Sequence, residues 1–114
     1  MIDCIFCKII SKEMKSDIIY EDENIVVFKD IEPQAPVHHL IIPKRHISSI
    51  SECTEEEKGI IGELILKAKE LAENEPTLAG GYRLVINNGK DAGLAVFHLH
   101  IHLLGGRRMS WPPG

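Results

Sequence analysis

Residues 97–104 read Phe-His-Leu-His-Ile-His-Leu-Leu, so three of the chain's six histidines fall at every second position. Successive side chains of an extended strand point to opposite faces. His98, His100 and His102 are therefore expected on one face, with rings about 6–7 Å apart. Phe97, Leu99, Ile101 and Leu103 are expected to point the other way, into a core. Neutral imidazole can be a nucleophile, a general base or a metal ligand, and imidazolium donates two hydrogen bonds. Neighbouring rings depress one another's pKa, which keeps several neutral near pH 7. A phosphate arriving among them would reverse that bias. The competing chemistry is a zinc hydrolase in which all three rings bind one ion. Geometry weighs against it: rings at i, i+2 and i+4 of a flat strand span too far to meet at one point.

A second group is Cys4-Ile5-Phe6-Cys7, a CxxC pair. Alone it fits a redox couple, half of a metal site, or chance, and no βαβ pattern surrounds it to favour a thioredoxin-like role. Cys53 has no evident partner and reads as a plain thiol. An odd number of cysteines, three, fits a secreted disulfide framework poorly. The opening MIDCIFCKII lacks the basic region of a signal peptide. Together these point to a reducing cytoplasm. No apolar run approaches the roughly 20 residues of a membrane span. A net charge of −4 disfavours a nucleic-acid coat or a membrane-surface binder.

The elements that must position these residues follow from pattern. With 114 residues, 44% hydrophobic and 26% charged, the chain is expected to form one domain. Ile5, Phe6, Ile9 and Ile10 have helical spacing, with Asp3 as a cap. Ile18–Tyr20 and Ile25–Phe28 flank a polar turn and predict a hairpin. Two prolines make residues 32–36 a loop. His39–Ile42 reads as a buried strand ended by Pro43, and His39 faces away from His38 with no role. Thr54 and Glu57 form a capping box for a helix running to about Asn74. Its apolar stripe is Ile61, Leu64, Ile65, Ala68, Leu71 and Ala72. Tyr82–Asn87 is the next strand, Asn88-Gly89 a turn, and the histidine segment the last strand. Short turns between sequential strands suggest an α+β domain: an antiparallel meander with its helices on one face.

His-Leu-His-Ile-His-Leu-Leu resembles the signature of the histidine triad superfamily, three histidines each followed by apolar residues. The likeness extends through Asp30-Ile31, Pro33-Gln34-Ala35-Pro36, Ile42-Pro43-Lys44-Arg45-His46-Ile47 and Gly105-Gly106-Arg107. The ending Trp111-Pro112-Pro113-Gly114 resembles the nucleotide-binding branch, the purine nucleoside phosphoramidases.

The resemblance implies a homodimer that cleaves the P–N bond of nucleoside phosphoramidates and binds purine nucleoside monophosphates. It implies one domain over 1–114, with a core to 104 and a tail from 105 that approaches the partner's active site. His100 would attack phosphorus, and His102, His38 and His98 would contact the phosphate or move protons. Asp30 would take the ribose hydroxyls, and Ile5, Phe6, Ile9, Phe28 and Ile31 the purine. Asn87, Gly93, Ala95 and Val96 belong to the phosphate cradle, and Trp111 to the tail. It also implies a structural zinc held by Cys4, Cys7, His46 and His98, which would remove His98 from proton transfer. One departure falls in the cradle: Leu94 and Ala95 stand where relatives commonly carry a polar pair. That keeps open a zinc-stabilised nucleotide-binding or scaffold protein with weak catalysis.

Overall fold

A computed structural model describes residues 4–114. The elements run α1 (Ile5–Ile10), β1 (Ile18–Glu21), β2 (Ile25–Lys29), β3 (Val37–Pro43), α2 (Lys58–Glu73), β4 (Tyr82–Val85) and β5 (Ile101–Gly105). Short 3-10 turns occur between them, at Ile50–Glu52, Glu55–Glu57, Pro76–Leu78 and Lys90–Ala92. Asp3, the expected cap of α1, lies outside the described residues. Cys4 occupies the cap position, its Sγ accepting the Cys7 N–H at 3.4 Å.

All neighbouring strands are antiparallel, and the hairpin of β1 and β2 forms as expected. The sheet order is β1-β2-β3-β5-β4, which is not a simple meander. β5 enters between β3 and β4, so those two run parallel to each other. Parallel strands need a long crossover, and the segment carrying α2 provides it. β5 suits the inner place because Ile101 and Leu103 are fully buried, whereas β4 begins with the exposed Tyr82 and takes the edge.

The helices lie on opposite faces, not on one. Val27, Ile41, Leu99, Ile101 and Leu103 pack with Leu64, Ala68 and Ala72 of α2. Val26, Phe28, Leu40 and Ile42 pack with Phe6 and Ile9 of α1. The cause is legible in Ile25-Val26-Val27-Phe28, which is apolar at every position and needs cover on both faces.

The capping box forms: the Thr54 N–H donates to Glu57 Oε1 at 2.6 Å, and the Glu56 N–H to Thr54 Oγ1 at 3.2 Å. That first turn is 3-10, and the α-helix begins at Lys58. The buried stripe is narrower than expected, since Ile65 is exposed.

The histidine strand is also shorter than its alternation predicts. Pairing of β3 with β5 starts at Ile41 and Ile101, because β3 ends at Pro43. Upstream, the Leu99 N–H donates to the Ile47 carbonyl at 2.6 Å instead of to a strand. The alternation itself persists from His98 to Leu103, but Phe97 is turned outward and exposed, contrary to expectation, where the chain bends. The strand expected over 82–87 likewise stops at Val85. Among the described residues no helix is long and apolar enough to cross a membrane.

Candidate active site and metal centre

A cavity of about 470 Å³ opens on the α1 face of the sheet. Ile5, Phe6 and Ile9 of α1, Phe28 of β2 and Leu40 of β3 form its apolar side, and Ile31 stands exposed at the lip. Phe6 meets Phe28 edge-on at 5.3 Å and His100 edge-on at 5.2 Å between ring centroids. That fixes the His100 ring against the apolar wall. Asn87, Gly93, Leu94, Ala95 and Val96 also line the cavity. Gly93 closes the 3-10 turn there with φ +80, a left-handed conformation that suits glycine.

Asp30 lies at the cavity with its Oδ1 accepting the Glu32 N–H at 2.8 Å, a turn that shapes the loop toward Pro36. Its Oδ2 lies 3.4 Å from His38 Nε2. The fold thus brings together every residue expected at the nucleotide except Trp111, which is exposed and off the cavity of its own chain. Met14, Lys15, Ser16, Lys29, Glu32 and Gln34 also line the mouth. They lie in or beside polar connections, where spacing alone gives no signal of a shared site.

Hydrogen bonds assign the histidine tautomers. His100 Nδ1 lies 2.6 Å from the His98 carbonyl, so it must carry the proton and donate. The Nε2 lone pair of neutral His100 is then left free at a ring that lines the cavity. The Gln34 N–H donates to His38 Nδ1 at 3.0 Å, so the proton of neutral His38 sits on Nε2. His38 Nε2–H in turn donates to His102 Nδ1 at 2.9 Å. Neutral His102 therefore holds its own proton on Nε2. Burial pushes His102 down to about 4, with His100 and His38 adding to the effect. Burial also lowers His38, against the pull of Asp30. Desolvation outweighs the ring-to-ring repulsion expected from the alternation.

His98 is separated from this group. It is fully buried, does not line the cavity, and its Nε2–H donates to the Pro43 carbonyl at 2.8 Å. Its Nδ1 lies 3.5 Å from Cys4 Sγ, 3.6 Å from Cys7 Sγ and 3.1 Å from His46 Nδ1. Cys7 Sγ lies 3.4 Å from His46 Nδ1. Tetrahedral zinc requires about 3.6 Å between sulfur and nitrogen ligands and about 3.3 Å between two nitrogens. These four separations lie close to that polyhedron's edges, and the carbonyl bond leaves the His98 Nδ1 lone pair free for an ion. Burial and the adjacent Cys4 push the Cys7 thiol up to about 11, and a bound cation reverses that balance. Spacing alone linked Cys4 to Cys7; the resemblance implied His46 and His98 as well, and the fold brings all four together. The alternating histidines do not share an ion: His98 belongs to the sulfur cluster, while His102 groups with Asp30 and His38.

Comparison with known proteins agrees with this architecture. A family model described as the HIT domain matches residues 11–109. An uncharacterized HIT-like protein of Synechocystis sp. is 52% identical over 112 residues, covering 98% of this chain and 97% of that protein. A crystal structure of a HIT family hydrolase from Legionella pneumophila Philadelphia 1 superposes with a TM-score of 0.95 at 46% identity, covering 98% of this chain and all of that one. A zinc-bound histidine triad family protein from Mycobacterium smegmatis gives 0.80 at 32% identity, covering 98% of this chain and 80% of that one. Histidines sorted into a cavity group and a sulfur cluster, on a sheet shared from end to end with these relatives, place this chain in the HIT family.

Proposed function

We propose that this protein is a nucleotide-binding hydrolase that cleaves the P–N bond of purine nucleoside 5′-phosphoramidates, with His100 as nucleophile. The observation that carries the reading is the His100 ring: its Nδ1–H is held by the His98 carbonyl, and its Nε2 is free at a cavity with an apolar slot and a carboxylate. The description of the Legionella relative as a hydrolase agrees with it.

In this reading Ile5, Phe6, Ile9, Phe28 and Ile31 hold the purine, and Asp30 accepts hydrogen bonds from the ribose hydroxyls. Asn87, Gly93, Ala95 and Val96 flank the phosphate. The His100 Nε2 lone pair forms a bond to phosphorus. The P–N bond breaks, and its electrons leave with the amine, which departs neutral because the substrate nitrogen was already protonated. His102, neutral near pH 7, offers its Nε2–H to a phosphoryl oxygen. The positive charge gained by His100 is eased by its Nδ1–H donating to the His98 carbonyl. Water then attacks phosphorus, the pair returns to His100 Nε2, and one proton passes to solvent with release of the nucleoside monophosphate. Splitting the displacement in two lowers each barrier.

Cys4, Cys7, His46 and His98 would hold a zinc ion as a closed structural site. Such an ion supplies cross-linking instead of reaction chemistry. A homodimer is part of the proposal. β4 is an edge strand with Tyr82 exposed, and Ile65 and Leu66 of α2 are exposed as well, surfaces that a second copy would cover. Trp111, exposed in its own chain, is then available to the partner's cavity. Light scattering at a single-chain mass would remove the dimer.

A second reading is favoured by Leu94 and Ala95, which present apolar side chains to the cavity: a nucleotide-binding protein with little turnover. One experiment separates the two. The intact protein and its His100→Ala variant are mixed briefly with adenosine 5′-phosphoramidate and weighed by mass spectrometry. A nucleotidyl adduct, or released AMP, that needs His100 is expected. AMP binding without adduct or turnover would favour the second reading.

A further inference from the structure

Besides the Gln34 N–H bond to His38, the loop between Asp30 and Val37 is fastened at three points. Asp30 Oδ1 accepts the Glu32 N–H, and Gln34 Nε2 donates to the Glu32 carbonyl at 3.0 Å. The third fastening comes from the far end of the chain: Arg107 Nε donates to the Gln34 carbonyl at 3.1 Å. Gly106 makes that approach possible. It has φ +94, and a Cβ built there would meet Pro36 Cβ at 2.9 Å and Thr77 Cγ2 at 3.0 Å. The backbone after β5 therefore lies directly on the loop, and the Arg107 side chain reaches one residue within it.

That residue also faces the histidines. The Gln34 N–H points at His38 Nδ1, and two facing donors at that separation repel, so His38 is restricted to the tautomer with its proton on Nε2. The restriction passes along the Nε2–Nδ1 bond to His102. If Gln34 turned away, only Asp30 Oδ2, 3.4 Å from Nε2, would still favour the Nε2 proton; in molecules that shift it, His38 Nδ1 carries the proton and Nε2 is an acceptor. His102 would then have to place its proton on Nδ1, and its Nε2 would face the cavity as a lone pair. A fixed donor would have become an acceptor facing an anionic phosphoryl group.

We propose that Arg107 is a positioning residue: by holding Gln34 through its carbonyl, it keeps the Gln34 N–H on His38 and thereby keeps His102 Nε2–H presented to the cavity. The proposal rests on the reading of His102 as the donor to substrate in its catalytic consequence, but not in its structural one. Arg107 itself does not line the cavity. A guanidinium suits the task because its rigid fork bonds two carbonyls at once: Nη1 also donates to the Arg108 carbonyl at 3.2 Å.

The test is a long-range proton–nitrogen NMR correlation of the histidine rings in 15N-labelled full-length protein, recorded without substrate near pH 7.5. The wild type is expected to show protonated Nε2 and bare Nδ1 at both His38 and His102. Arg107→Ala is expected to move both rings toward mixed tautomers. It should also lower kcat for adenosine 5′-phosphoramidate about tenfold with KM nearly unchanged, the worth of one charge-assisted hydrogen bond. Arg107→Lys keeps a donor on a flexible stem and should restore much of both. It also serves if the alanine variant does not fold. Arg108→Ala, a neighbouring loss of charge, should change neither ring. Ring patterns unmoved in both Arg107 variants would overturn the proposal. Rings that move in Arg107→Ala, when the wild type itself turns over no phosphoramidate, would leave Arg107's role intact and defeat the proposed function instead.

Discussion

His100 owes its orientation to two neighbours of different kinds. The His98 carbonyl accepts the hydrogen bond of its Nδ1–H, and the Phe6 ring packs perpendicular to it. Neither neighbour has a donor to offer a phosphoryl group, so in the proposed reaction the transition-state charge is met by His102 Nε2–H and by donors of the 87–96 segment. There Leu94 and Ala95 offer no side-chain donor. One missing donor to a developing charge typically costs about 100-fold or more in rate, though backbone N–H groups recover part of it. Replacing both, Leu94→Gln with Ala95→Ser, is expected to raise kcat/KM for adenosine 5′-phosphoramidate by about tenfold. Steady-state assays of AMP release check this. An unchanged or lower value would show that the apolar pair suits the leaving group this enzyme takes.

α1 is six residues long and far below the length at which an isolated helix holds together in water. Two things keep it on the sheet. Phe6 and Ile9 are buried against Val26, Phe28, Leu40 and Ile42. Cys4 and Cys7 also converge with His46 and His98 from two other parts of the chain. A metal there would join the cap and first turn of α1 to the loop after β3 and to the segment entering β5. Because α1 also walls the cavity, that link would support both stability and binding. The purified protein is expected to carry one zinc per chain by atomic spectroscopy. Prolonged chelation, or Cys7→Ser, should lower the melting temperature by about 10 °C and weaken AMP binding. A metal-free protein that melts unchanged on adding zinc would reduce the cluster to thiol–imidazole contacts.

At the scale of the whole molecule, several histidines are folded into the sheet uncharged. Burial lowers His38, His39 and His102, the last to about 4. In the unfolded chain they titrate near their ordinary value of about 6.5. Between these values the unfolded chain binds more protons than the folded one. Stability is therefore complete above about pH 6.5 and is lost as pH falls toward about 4. The melting temperature should drop between pH 7 and pH 5, before most carboxylates protonate. His39 isolates the effect from the active site and the metal cluster. It sits on the α2 face, and its buried Nδ1 has no hydrogen-bond partner among the described residues. In His39→Leu the drop should be smaller than in the wild type, read by calorimetry at both pH values. An identical drop would remove His39 from the acid response.

The alternation of apolar and imidazole side chains from His98 to Leu103 follows from the two-residue period of extended backbone, and it was legible in the chain alone. So were the hairpin, the Thr54–Glu57 cap and the central helix, because local hydrogen bonding and periodicity determine them. The unbroken apolar run of β2 could also have told that both sheet faces need cover, and so that the helices lie apart. What periodicity cannot express is how distant segments meet. β5 slips between β3 and β4 because its fully buried side chains need neighbours on both sides. His98 and His100 share a face yet part company, because Pro43 ends β3 and leaves a carbonyl that takes the His98 ring. His46 reaches the cysteines only once that loop has folded over. The protonation pattern of His38 and His102 depends on a backbone N–H four residues away and a guanidinium from the end of the chain. Residue types determined which chemistry was available. Tertiary contacts between segments far apart in sequence decided which nitrogen carries each proton, since a hydrogen-bond partner is a matter of position in space.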